Sequence, residues 1–81
     1  MDIKVLGTGC ANCKRTIQLI EQVALAKGVP VALGKVEDIR EIVGYGVVST
    51  PGVVIDGKVV HAGGVPAREK VEQWLAVRPP A

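Results

Sequence analysis

Residues 47 to 64 read VVSTPGVVIDGKVVHAGG. Two apolar runs, GVVI and KVVHA, flank Asp56-Gly57. Asp-Gly between two such runs is a strong hairpin signal, because both residues tolerate the positive φ of a tight turn. Pro51 stands just ahead of the first run. Proline lacks a backbone N–H, so it suits the first residue of a strand or an edge. On local sequence the Thr50–Pro51 bond can be cis or an ordinary trans turn.

Working outward, VPAREKVEQWLAV (65–77) has the spacing of a helix. Pro66 suits its first turn, and Val71, Trp74 and Leu75 form its buried face. The final RPPA (78–81) reads as a frayed tail. Upstream, EDIREIVGYG (37–46) fits a short helix, with Asp38 near its start and Gly44 and Gly46 at its end. VPVALGKV (29–36) and IKVLG (3–7) read as strands. Between them TGC opens a long helical pattern. Cys13, Ile17, Ile20 and Ala24 recur on one face, widened by Leu19, Val23 and Ala26, and Lys27-Gly28 ends it. The order is β-α-β-α-β-β-α. A strand, helix and strand in succession imply parallel pairing with a right-handed crossover.

Composition narrows the function classes. Eighty-one residues hold one core, here residues 1–77. Hydrophobic residues make up 48% of the chain, too many for a disordered segment. A net charge of +2 is too small for a nucleic-acid surface, and the aromatics are Tyr45 and Trp74 alone. No stretch approaches the ~18 apolar residues of a membrane span. Met1-Asp2-Ile3-Lys4 runs directly into a strand pattern, so no signal peptide is expected and a cytoplasmic location follows. Two cysteines do not make a secreted disulfide scaffold.

Those two, Cys10 and Cys13, lie in GTGCANCKRT (7–16). The first falls where a strand gives way to a helix. Free N–H groups and the positive end of the helix dipole stabilise a thiolate there and lower its pKa. The second sits one turn into the helix and continues the apolar stripe, so it is expected to be buried. The spacing allows a small disulfide ring in which Cys13 attacks a mixed disulfide on Cys10. It also allows a two-thiolate metal site, which suits Cu(I), or two small core residues. Lys14 and Arg15 read as a solvated helix face, His61 as an exposed strand residue, and Tyr45 as packing. Asp56 reads as turn chemistry and Glu37 as a helix-start residue.

CANC at a helix start, followed by YGVVSTPGVVIDGKVVHAGGVPAREKVEQWL, resembles the thioredoxin/glutaredoxin superfamily, and in particular its small redox-active disulfide proteins. The likeness spans residues 2 to 76 and rests on motif order as well as on the cysteines. It implies a thioredoxin-like α/β fold with a four-stranded mixed sheet flanked by helices. It further implies a thiol–disulfide oxidoreductase, in which Cys10 attacks and Cys13 resolves. Pro51 would be a cis-proline facing the disulfide, and Thr50 would offer its backbone to a partner chain. Gly63 and Gly64 match glycines near which a partner approaches, or else form a plain turn. The expected partners are protein disulfides and a disulfide reductase not identified by sequence. A monomer is expected, with neither nucleic acid nor membrane as partner and with no cofactor beyond the Cys10–Cys13 disulfide.

Several positions depart from the better-known patterns. Gly9 replaces the thioredoxin Trp, and Ala11-Asn12 matches neither Gly-Pro nor Pro-Tyr. Val65-Pro66 replaces the acidic pair of glutaredoxins, which argues against a glutathione site. Residues 3–21, IKVLGTGCANCKRTIQLIE, also resemble the heavy-metal-associated domain, but that fold has the order βαββαβ, and Thr8 stands where it has Met.

Overall fold

The computed structural model describes residues 1–8 and 11–76. Its elements are β1 (Asp2–Leu6), α1 (Ala11–Lys27), β2 (Ala32–Val36), α2 (Ile39–Gly44), β3 (Gly52–Ile55), β4 (Lys58–Ala62) and α3 (Arg68–Ala76). This is the expected β-α-β-α-β-β-α order, and not the βαββαβ order of the metal-binding alternative. The strands form one mixed sheet in the order β2-β1-β3-β4. β1 pairs parallel with β2 and antiparallel with β3, and β3 pairs antiparallel with β4.

Alternation along the central strands builds two cores, because successive side chains point to opposite faces. Ile3 and Val5 of β1 and Val53 of β3 face α1 and α3, where they meet Ile20, Val23, Ala24, Val71 and Leu75. Leu6 and Val54 face the other way and pack with Ile42 of α2 and Val47. The sheet is therefore a middle layer with two helices on one face and one on the other.

Local signals account for the element ends. Asp38 caps α2, its carboxylate accepting the Arg40 N–H at 2.8 Å. The end of α2 is closed by Gly46 N–H to Val43 O (2.8 Å) and Val47 N–H to Ile42 O (3.4 Å). The same pair of bonds ends α1, from Gly28 N–H to Leu25 O and from Val29 N–H to Ala24 O. At the hairpin, Asp56 (φ 49°) and Gly57 (φ 83°) both adopt positive φ, as a tight primed turn requires. Asp56 does more than turn the chain. Its backbone N–H donates to Asp2 O (2.8 Å) and its carboxylate accepts Asp2 N–H (2.9 Å), which clips the hairpin to the start of β1.

Several expected boundaries shift. β1 lies one residue earlier than 3–7, although Gly7 N–H still donates to Val36 O at 2.9 Å. β2 begins at Ala32 and not at Val29, because residues 29–31 are still leaving the cap of α1. α2 covers 39–44 within the expected 37–46. α3 begins at Arg68, with Ala67 O accepting the first helical bonds, so Pro66 precedes the helix and is buried instead of forming its first turn. Ala26 is exposed, and buried Thr16 takes the place in the stripe that a purely apolar pattern overlooks. Thr16 is tolerated there because its hydroxyl donates to Asn12 O, one turn back, at 2.8 Å. Among the described residues no helix is long and apolar enough to cross a membrane. Cys10, the end of the expected helix at 77 and the tail 78–81 lie outside the described residues.

Candidate active site

The site lies where β1 ends, α1 begins and the chain enters β3. Ile3 and Val5 point toward α1, and alternation carries the same face on to Gly7. There the strand carries no side chain, and the Cys13 sulfur takes the space. A Cβ at Gly7 would collide with Cys13 Sγ and would stand 3.4 Å from Cys13 Cβ and 3.7 Å from Thr50 Cβ. Cys13 is 3% exposed, as the apolar stripe of α1 predicts.

The opposite wall comes from the loop ahead of β3. Leu6 pairs with Gly52, the last pair of that register, so Gly7 and Pro51 are the residues that follow on the two chains. The Thr50–Pro51 bond is cis, so of the two conformers open on local sequence the structure adopts the one that the resemblance implies. Pro51 is buried and Thr50 is exposed. Behind Pro51 stands Gly52, where a Cβ would lie 3.2 Å from Val47 Cγ1 and 3.4 Å from Leu6 Cδ1.

Gly63 and Gly64 reach the site by different means. Gly63 (φ 86°) donates its N–H to Pro51 O at 3.0 Å and lies against Ser49, with an added Cβ only 3.3 Å from Ser49 Cβ. It braces the loop on both sides of Thr50. Gly64 (φ 71°) faces open space, since a Cβ there meets nothing within 4 Å. His61 is half-buried and not the exposed residue expected for a lone strand histidine. Its Nε2 bonds Gly64 O at 2.9 Å, its Nδ1 lies 3.4 Å from Lys70 Nζ, and its ring lies 6.0 Å from that of Trp74. It ties the glycine turn to α3. Trp74, expected on the buried face of α3, is only half-buried and packs against the larger core from its edge.

Beside Cys13 opens a pocket of ≈ 250 Å³. Val5, Gly7 and Ile17 form its apolar side, while Lys14, Lys35 and Glu37 supply charge. Lys14 and Glu37, read from sequence as a solvated face and a helix start, thus border the thiol. Lys35 could not be placed there from sequence, because only the parallel pairing of β2 with β1 carries it to this side. Gly7 and Thr16 were equally unmarked. The signal for Gly7 was present in the alternation Ile3, Val5, Gly7 directly ahead of a helix.

Comparison with known proteins agrees with this geometry. Residues 1–76 match the Thioredoxin domain family. A thioredoxin of Methanocaldococcus jannaschii is 33% identical over 73 residues, spanning 90% of this chain and 84% of that protein. A thioredoxin of Methanothermobacter thermautotrophicus is 28% identical over 76 residues, spanning 94% of this chain and 99% of that protein.

Proposed function

The chain belongs to the thioredoxin-domain family, and on that premise we propose that it reduces protein disulfides through a reversible Cys10–Cys13 disulfide. Its general activity, that of a protein thiol–disulfide oxidoreductase, comes with the family. The observation that carries the finer reading is the setting of Cys13. Its thiol is held in the first turn of α1, against the open end of β1 and beside the loop that carries cis-Pro51.

In the reduced protein the Cys10 thiolate attacks one sulfur of a partner disulfide. The partner's other sulfur leaves as a thiolate and takes a proton. Cys13 then loses its proton and attacks Cys10 sulfur, releasing the partner's second thiol. Two protein thiols are oxidised and one partner disulfide is reduced to two thiols. A disulfide reductase returns the electrons, and no bound cofactor takes part. Cys10 directly precedes α1 in sequence, where the dipole favours the attacking thiolate. Thr50 and the 96% exposed Val48 are open to solvent just ahead of Pro51, where an extended partner chain can lie, with Gly64 leaving its approach open. We read the protein as a cytoplasmic monomer.

Insulin reduction in the presence of dithiothreitol tests this reading, together with capture of partners on Cys13→Ser. Catalysis lost in Cys10→Ser, and mixed disulfides accumulating on Cys13→Ser, are the expected results. Unchanged turnover in Cys10→Ser would overturn it. Tight stoichiometric Cu(I) binding without disulfide exchange would favour the metal-site reading of the two cysteines instead.

A further inference from the structure

We propose that Gly7 is a positioning residue for the resolving step, because its missing side chain is the seat of the Cys13 sulfur. Three observations carry this. A Cβ at Gly7 would occupy the space of Cys13 Sγ. The backbone cannot move aside to relieve that overlap: Gly7 N–H is bonded to Val36 O, and the preceding Leu6 is paired with Val36 on one side and Gly52 on the other. Nor does the main chain itself call for glycine, since Gly7 is not among the residues with positive φ. Glycine is needed at this position because of what lies opposite it.

A methyl group at residue 7 therefore displaces the sulfur, by rotating Cys13 or by lifting the first turn of α1. Attack on a disulfide needs the incoming sulfur in line with the bond it breaks. A misplacement of about 1 Å can cost on the order of a hundredfold in such a step. Attack by Cys10 on an outside disulfide does not use the Cys13 sulfur. The two half-reactions should thus respond differently to a side chain at residue 7. This inference rests on the assignment of Cys10 as attacking and Cys13 as resolving thiol.

Ellman's reagent separates the steps. Attack by Cys10 cleaves the reagent's disulfide, forms a mixed disulfide and releases one thionitrobenzoate. Attack by Cys13 on that mixed disulfide closes the protein disulfide and releases the second. In the wild-type protein two equivalents are expected in stopped flow. In Gly7→Ala the first phase should be unchanged and the second slowed at least about tenfold, with the mixed adduct visible by mass. A folded Gly7→Ala with a wild-type second phase overturns the inference. Failure of the wild-type protein to release two equivalents would instead overturn the assignment of the cysteines.

Stability gives a second readout should Gly7→Ala fold poorly. With the sulfur deleted in Cys13→Ala, the remaining Cβ lies 3.4 Å from an alanine Cβ at residue 7, at the edge of ordinary contact. Gly7→Ala should lower the urea midpoint strongly beside Cys13 and only slightly beside Ala at position 13. Equal losses in both backgrounds would show that the sulfur is not what glycine accommodates, and would overturn the inference.

Discussion

Gly63→Ala tests whether the loop around Thr50 is held from behind. Gly63 has φ 86°, in the left-handed region where an alanine side chain costs about 1 kcal/mol or more. The new Cβ would also lie 3.3 Å from Ser49 Cβ, closer than ordinary contact, so Ser49 must give way by a few tenths of an ångström. Together these effects predict a loss of about 2 kcal/mol. Gly64→Ala meets the first cost alone, because nothing lies within 4 Å of its Cβ. It should lose about 1 kcal/mol. A domain of this size has about 4–12 kcal/mol of stability, so both variants should remain folded. At about 4–8 °C per kcal/mol, the expected drop in Tm is about 8–16 °C for Gly63→Ala and about half that for Gly64→Ala. Urea denaturation of both variants, with Ser49→Gly added to each, isolates the contact. The double variant Ser49→Gly/Gly63→Ala should recover the steric part, whereas Ser49→Gly should do nothing for Gly64→Ala. Insulin reduction supplies a second readout: Gly63→Ala should lose activity beyond its unfolded fraction, because Ser49 and the Pro51 carbonyl move with it. Equal stability of the two alanine variants, with no coupling to Ser49 and full activity in Gly63→Ala, would refute the reasoning.

Other outcomes follow from the same structure. Asp56→Asn should stay within about 0.5 kcal/mol of wild type, since Asn tolerates positive φ and keeps an acceptor for Asp2 N–H. Asp56→Ala, which keeps neither, should lose about 2 kcal/mol in urea denaturation. Ile20→Ala opens a cavity in the larger core, where Ile20 is 0% exposed. It should cost about 2–5 kcal/mol and lower Tm by at least about 8 °C in calorimetry. The Arg68–Glu72 pair, 3.5 Å apart on the exposed face of α3, should contribute under about 0.5 kcal/mol in a double-mutant cycle, and less as salt is raised.

Much of this was legible in the order of residues. The hairpin was, because Asp56-Gly57 satisfies its turn locally. The second helix was, because Asp38 caps it with its own side chain. Burial of Cys13 was, because one helical face repeats every three or four residues. Such features depend on neighbours a few positions apart along the chain.

Other features depend on residues that only the folded sheet brings together, and no local pattern encodes them. The parallel pairing of β1 with β2 carries Lys35 and Glu37 to the pocket beside Cys13. Antiparallel pairing with β3 runs to Leu6 and Gly52, beyond which Gly7 and Pro51 follow, and the Thr50–Pro51 bond that local sequence left open is cis in the fold. Contact with Ser49 distinguished Gly63 from Gly64, which read alike as a glycine pair. Sequence alone thus determined the elements, their order and the cysteine that lies inward, since hydrogen bonding and side-chain periodicity act over short distances along the chain. Tertiary structure decided what surrounds that cysteine. The empty space at Gly7 has meaning only once a helix beginning four residues later has been folded back across the end of its own strand.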